Sequence, residues 1–412
     1  MTSDHPLDAG KLESHLPETQ APPPTTETAP QRRASATDKP PEDPSEPFPE
    51  RNEPVVEPLS SAATYFYTLS YLVFFSIFGT LARLGLQALT FYSGAPVVTG
   101  VLWANVGGSL IMGFLLEDKN IFREEWGNPR KPENGAPQDT NAAEESKRHK
   151  SIKKTIPLYI GLTTGFCGSF TSFSSLIRDI FLALANDLPD PSSPSIASRN
   201  GGYSFMALLA VLLTTVSLSL AALIFGSHCA LALDRFHLPP KLPFRLTRRI
   251  IDPLLAFLAW GCWLSSVFLV IWPPHENWRG RAIFAIIFAP LGCLLRFYIS
   301  LALNARLPSF PLGTFTVNIL GTIILAMCYD LQRVDGIGAS VLVSCQVLQG
   351  VMDGFCGCAT TVSTWVAELN GLAKRLHAYV YGTVSIGVAL GFFVIISGSL
   401  KWTIGFIEPV CG

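Results

Sequence analysis

Two blocks of eight residues carry the polar chemistry of an otherwise apolar chain. Gly165-Phe166-Cys167-Gly168-Ser169-Phe170-Thr171-Ser172 and Gly354-Phe355-Cys356-Gly357-Cys358-Ala359-Thr360-Thr361 each set two glycines and then hydroxyls inside a long hydrophobic run. Glycine weakens a helix there, and backbone groups freed within a membrane must be met by protein, water or an ion. The same small residues would also let helices pack closely, but hydroxyls directly after the glycines in both blocks favour a helix break that serves a site. Asn105 and Asn318 also interrupt apolar runs. Burying an amide without a partner is costly, so each either joins helices or faces a polar path. A primary amide suits an anion path because it donates without adding a charge that would hold the ion tightly.

Arg83 and Arg296 come late in their runs, where an arginine can snorkel, cap a helix end, make a fold-defining contact or attract an anion at a vestibule. Tyr381 and Ser385 are four apart, share a helix face and offer a hydroxyl track. In the first half Ser217 is the sequence match for Ser385, with Leu213 replacing Tyr381.

The elements that must position these groups are membrane helices. Hydrophobic residues are 49% of the chain and charged residues 15%, a composition that points to a membrane protein. A crossing helix needs about 20 apolar residues. Nine runs qualify, at 64–90, 97–116, 155–186, 203–228, 252–272, 280–303, 311–331, 340–370 and 377–400. Lysines and arginines collect in the loops at 117–154 and 229–251, which places those loops and the N-terminus in the cytosol and the C-terminus outside. Residues 1–58 are rich in Pro, Glu, Ser and Thr and read as a disordered cytosolic tail without a cleaved signal peptide. The net charge of −1, with lysines and arginines placed in short loops, argues against a nucleic-acid surface. Most of the nine cysteines lie in apolar runs and read as packing residues, the Cys356 and Cys358 pair included.

The motifs recur in order. Gly79-Thr80-Leu81-Ala82-Arg83 returns as Gly292-Cys293-Leu294-Leu295-Arg296, and Asn105 and Asn318 each follow their arginine by 22 residues. Each repeat holds four spans and the fifth stands between them, so the second repeat is expected to be inverted, with breaks in spans 3 and 8 and functional groups near the midplane. The expected organisation is an all-α integral membrane protein: a first repeat at 59–228, a linker with one transmembrane helix at 229–279 and an inverted second repeat at 280–412.

The doubled G-x-x-x-R, apolar-Asn and G-F-C-G-x-x-T-S/T motifs resemble the fluoride channel family, Fluc in bacteria and FEX in eukaryotes, over residues 64–400. The two-repeat layout is similar to the eukaryotic fused form, in which one chain supplies the antiparallel pair. The resemblance implies passive fluoride export across the plasma membrane by a chain active as a monomer, with fluoride and membrane lipid as its partners. It implies a path lined by Asn105 or Asn318, by aromatic rings after the break, by Ser174 and Ser363, and by Tyr381 and Ser385. It also implies a central structural Na⁺ on backbone carbonyls of Gly168, Thr171, Gly357 and Thr360. The chain departs from the family's T-T-F-S-T-F, reading Thr171-Ser172-Phe173-Ser174-Ser175-Leu176 and Thr360-Thr361-Val362-Ser363-Thr364-Trp365. Pairing across the repeats then joins Phe173 to Trp365 in one pore and Val362 to Leu176 in the other. Only the aromatic pore is expected to conduct, with Tyr381 and Ser385 on its path.

Two other classes compete with this reading. A proton-coupled exporter needs a buried carboxylate, and Asp179, Asp330, Asp353 and Glu368 lie near span ends or breaks, Asp353 directly before Gly354. An enzyme is not expected, because no His-Glu-x-x-His motif, Ser/His/Asp order or phosphate loop occurs.

Overall fold

The computed structural model describes residues 60–95, 97, 100–122, 149, 151–189, 192, 199–236, 242–243, 246–273 and 279–411. The tail at 1–58, most of the loop at 117–154 and part of that at 229–251 lie outside the described residues. The regular structure among the described residues is entirely helical. In chain order it comprises α1 (Ser61–Thr90), α2 (Leu102–Glu117), α3 (157–170), α4 (Phe173–Leu184), α5 (Gly201–Arg235), α6 (Thr247–Ile271), α7 (Phe284–Leu303), α8 (Leu312–Gln332), α9 (342–359), α10 (Ser363–Gly371) and α11 (Arg375–Thr403).

Among the described residues, seven stretches are long and apolar enough to cross a membrane: α1, α5, α6, α7, α8, the α9–α10 segment Leu342–Gly371, and α11. The chain is a multi-pass membrane protein. α2 is a shorter apolar helix of 16 residues, and α3 with α4 forms a broken segment over 157–184. The side-chain pattern is inside-out relative to a protein in water. Along α1, Ser70, Ser76, Thr80 and Arg83 are buried while Phe66 and Phe78 are exposed. Leu213, Phe225, Phe257, Leu264, Leu301 and Ile395 likewise face outward, which suits hydrocarbon as solvent.

Small residues allow the close crossings. Gly113 on α2 meets the Leu223 carbonyl of α5, and Gly226 on α5 meets the Leu110 carbonyl of α2, with no room for a side chain at either. A Cβ on Gly79 would stand 2.7 Å from the Phe166 carbonyl of α3, and the repeat-equivalent Gly292 packs in the same way on the Phe355 carbonyl of α9. α6 docks against α1 and α7, where the indoles of Trp260 and Trp263 donate to Ser70 Oγ (3.0 Å) and the Ile287 carbonyl (3.1 Å).

At the end of α2 the buried Lys153 Nζ donates to the Leu115 and Asp118 carbonyls, both at 2.6 Å. It caps carbonyls that the helix end leaves unpaired. Burial raises the pKa of the neighbouring Asp118, opposed by the Ile121 N–H and the Lys153 charge.

One cysteine expectation needs correction: Cys345, at the start of α9, is disulfide-bonded to Cys411. The partners stand 66 residues apart in sequence, and three helices returning between them bring the ends together. Cys356 and Cys358 are buried free thiols, as packing residues should be.

Candidate ion-binding centre and path

α3 and α9 approach the centre through π-helical stretches, Gly161–Cys167 and Val351–Cys356, and each then breaks at one extended threonine. Thr171 has φ −93 and ψ 152, and Thr360 has φ −103 and ψ 153. The breaks are held by groups from elsewhere. The Ser172 N–H donates to Asn105 Oδ1 at 2.9 Å, and the Thr361 N–H donates to Asn318 Oδ1, also at 2.9 Å. In a continuous helix those N–H groups would serve the Gly168 and Gly357 carbonyls. One turn on, the Ser175 N–H goes to Ser172 Oγ (3.2 Å) and the Thr364 N–H to Thr361 Oγ1 (3.4 Å), away from the carbonyls of Thr171 and Thr360.

Gly168, Thr171, Gly357 and Thr360 therefore all lose the helical donor to their carbonyl. Carbonyl oxygens without helical donors suit a hard monovalent cation, because such ions prefer oxygen ligands. The four residues fit the sodium site that the resemblance implies. Among the described residues no cluster of three or more His, Cys, Asp or Glu side chains offers an alternative metal site.

The two breaks meet reciprocally. Thr171 Oγ1 lies 3.1 Å from Ser363 Oγ and accepts from the Ser363 N–H at 3.2 Å. Thr360 Oγ1 lies 3.0 Å from Ser174 Oγ and accepts from the Ser174 N–H at 3.0 Å. Arg83 and Arg296 are buried, and each crosses to the other half. Arg83 Nη2 donates to the Asp353 carbonyl, and Arg296 Nη2 to the equivalent Thr164 carbonyl at 2.7 Å. Arg296 Nε also reaches the Cys358 carbonyl at 2.8 Å, whereas Arg83 Nε and Nη1 have no partner. The arginines thus clamp the π-helical stretches, where a widened turn loosens the regular carbonyl pairing.

The rings of Phe173 and Trp365 lie edge to face with centroids 5.4 Å apart, both fully buried. Val362 and Leu176 are buried too. The Tyr381 hydroxyl donates to Glu368 Oε2 at 2.7 Å, and Ser385 Oγ donates to the Tyr381 carbonyl at 2.7 Å. Glu368 also accepts from Thr314 Oγ1 (2.7 Å) and Asn304 Nδ2 (3.3 Å). At the repeat-equivalent position Asp179 Oδ1 pairs with Arg178 at 3.2 Å, while Asp179 Oδ2 is buried without a partner. Beside it opens a cavity of about 470 Å³, bordered also by Gly100, Tyr329, Arg333 and Asp353.

The match of Ser217 to Ser385 is corrected. Ser227 Oγ donates to the Gly113 carbonyl (3.1 Å) and Ser397 Oγ to the Ala326 carbonyl (3.4 Å), equivalent anchors eight residues beyond each asparagine. Twelve residues before those serines stand Thr215 and Ser385, both buried, with Val211 and Tyr381 one turn earlier. Ser217 and Leu213 point outward, because a two-residue slip turns a helix by about 200°.

Sequence reasoning also missed Ser109 and Ser219. Both are buried, and both hydroxyls lack a partner, as do Asn105 Nδ2 and Trp365 Nε1. These four groups lie on α2, α5 and α10, which pack on one another. Ser109 stands one helical turn after Asn105, a signal that was available.

The fold and its doubled break define a multi-pass helical membrane protein built from two similar halves around a shared polar centre. The chain belongs to the CrcB-like family: the family model described as "CrcB-like protein, Camphor Resistance (CrcB)" matches residues 70–227 and 283–399. It is similar to Fluoride export protein 1 of Neurospora crassa, with 56% identity over 373 residues covering 86% of this chain and 70% of the relative. To Fluoride export protein 1 of Candida albicans it is 36% identical over 359 residues, covering 84% and 83%. The Fluoride-specific ion channel FluC of Acinetobacter baylyi is 30% identical over 115 residues, which span 28% of this chain and 86% of the bacterial protein. No solved structure matches the chain.

Proposed function

We propose that this protein is a fluoride channel that lets the ion leave the cell passively across the plasma membrane. It is a membrane ion channel and not an enzyme, in keeping with the names carried by its relatives. The observation that carries the reading of the path is the Asn105 amide, whose oxygen is fixed by the Ser172 N–H while its NH₂ stays buried and unpaired. A preset donor without a full charge can take over part of an anion's hydration and still release it.

The conducting path then runs past Asn105, Phe173 and Trp365, with Ser109 and Ser219 beside it, and Ser174 and Ser363 at the central crossing. Ring edges carry partial positive charge toward an ion shedding water, which Val362 and Leu176 do not supply. Tyr381 and Ser385 flank the same α10 helix from α11, Gly382 resting near Trp365. Sodium bound by the carbonyls of Gly168, Thr171, Gly357 and Thr360 would supply a fixed positive charge at the centre and satisfy those oxygens.

We read the chain as nine crossings in two inverted repeats. The reciprocal Thr171–Ser363 and Thr360–Ser174 contacts support this, since mutual contacts of equivalent residues are the mark of a two-fold relation. With both halves in one chain, a monomer suffices. The Cys345–Cys411 bond supports a C-terminus outside the cell, because disulfides persist in oxidising compartments. The cytosolic N-terminus rests on the lysine and arginine pattern. Glycosylation sites engineered into the 117–154 loop should stay unmodified, and efficient modification there would overturn the orientation.

A proton-coupled exporter is the second reading, favoured by the half-buried Glu368 carboxylate one turn beyond Trp365. Fluoride-electrode recordings of efflux from proteoliposomes separate the two. Efflux that follows the fluoride gradient alone supports the channel, and efflux that requires a pH gradient supports the exporter.

A further inference from the structure

On the outer surface α5 and α11 stand apart over a trough of about 530 Å³. Leu213, Val216 and Leu220 on α5 face Ile386 and Gly387 on α11 across a floor that includes Trp365. The trough is open because α11 carries glycines there. Position 387 has nothing within 4 Å of where a Cβ would stand, and at Gly382 the Trp365 ring comes within 3.9 Å of that point. One end of this apolar trough is polar: Arg375 and Asn370 line it, and Lys374 adjoins it, all three exposed. Among the described residues Arg375 and Lys374 form no ion pair.

A guanidinium and an amide at the mouth of a hydrocarbon-lined channel match an amphiphile whose head accepts several hydrogen bonds and carries negative charge. In the orientation proposed above this end faces the cytosol, where anionic lipids are concentrated. We propose that the trough binds one anionic glycerophospholipid of the cytosolic leaflet, its phosphodiester on Arg375 and Asn370 and an acyl chain lying against Trp365. The site rests on that membrane orientation and not on which ion is carried. The lipid chain then backs one side of the indole while the Phe173 ring meets another, so occupancy holds Trp365 in place.

Native mass spectrometry of the purified full chain, with phosphatidylglycerol or phosphatidylcholine added, tests the site. The unaltered protein should retain one phosphatidylglycerol per chain and prefer it several-fold over phosphatidylcholine. Gly387→Phe, which fills open space, should abolish retention, and Arg375→Gln should bind the two lipids equally. Thermal midpoints near that of the unaltered protein identify folded variants, and if Gly387→Phe does not fold, the Arg375→Gln preference decides alone. Equal retention by the unaltered protein and folded Gly387→Phe, or an unchanged preference in Arg375→Gln, overturns the proposal. A protein that keeps its lipid but passes no fluoride in any vesicle refutes the channel reading and leaves the lipid site standing.

Discussion

Asn105 and Asn318 occupy equivalent positions and do the same structural job, yet their second functional groups differ. Each side-chain oxygen accepts the N–H of the residue after a broken threonine, at 2.9 Å in both halves. Asn318 Nδ2 is then spent on the Thr361 carbonyl at 3.3 Å, while Asn105 Nδ2 has no partner. Their neighbours repeat the difference. Thr322 Oγ1 donates to the Asn318 carbonyl at 2.7 Å, and the equivalent Ser109 hydroxyl is unpaired. A duplicated scaffold can keep the bond that holds the break in both copies while only one copy keeps donors in reserve. Buried unpaired donors are costly and uncommon, so their concentration beside one asparagine supports the path proposed through it.

The largest effect should come from separating the two roles of the amide. Asn→Asp keeps an oxygen for the break and removes the NH₂. Asn105→Asp should slow fluoride efflux by roughly 10–100-fold, the scale of a lost hydrogen bond to a charged group, and Asn318→Asp should leave it within a few-fold; equal losses would erase the distinction. The aromatic pair sharpens the same contrast. Phe173→Ile and Trp365→Ile should each lower efflux about 10-fold, at ~1 kcal/mol or more per lost ring contact, with Val362→Ala and Leu176→Ala nearly silent, and matching losses from both pairs would mean two working pores. The smallest effect concerns stability. Arg296 makes one more hydrogen bond than Arg83 to the carbonyls it clamps, so Arg296→Gln should destabilise by about 1.5–3 kcal/mol more than Arg83→Gln. Thermal unfolding in detergent measures the difference, and identical midpoints would count against it.

Much of this arrangement was legible in the sequence because it is written in residues that a membrane helix otherwise avoids. Glycines and hydroxyls marked the two segments that break, and the two lone asparagines stood out as polar groups, though their bonds to the breaks at Thr171 and Thr360 did not. What could not be read depends on helix rotation and on the opposite half. Thr215, not Ser217, faces inward because the Gly113 and Gly226 crossing sets the turn of α5. Whether an amide is spent or free depends on where the carbonyls of the neighbouring break lie, which no spacing encodes. The cysteine pair is a matter of where the last helix ends.

That pair gives the C-terminal sixth of the chain a different connectivity from the rest. Cys345 and Cys411 close a covalent ring through most of α9 and all of α10 and α11. A protease that cuts once inside the ring, for instance between α10 and α11, opens a loop without releasing a piece. Such a nicked chain would run as one species on a gel until a reductant divides it in two, whereas a single cut between α4 and α5 separates the fragments at once.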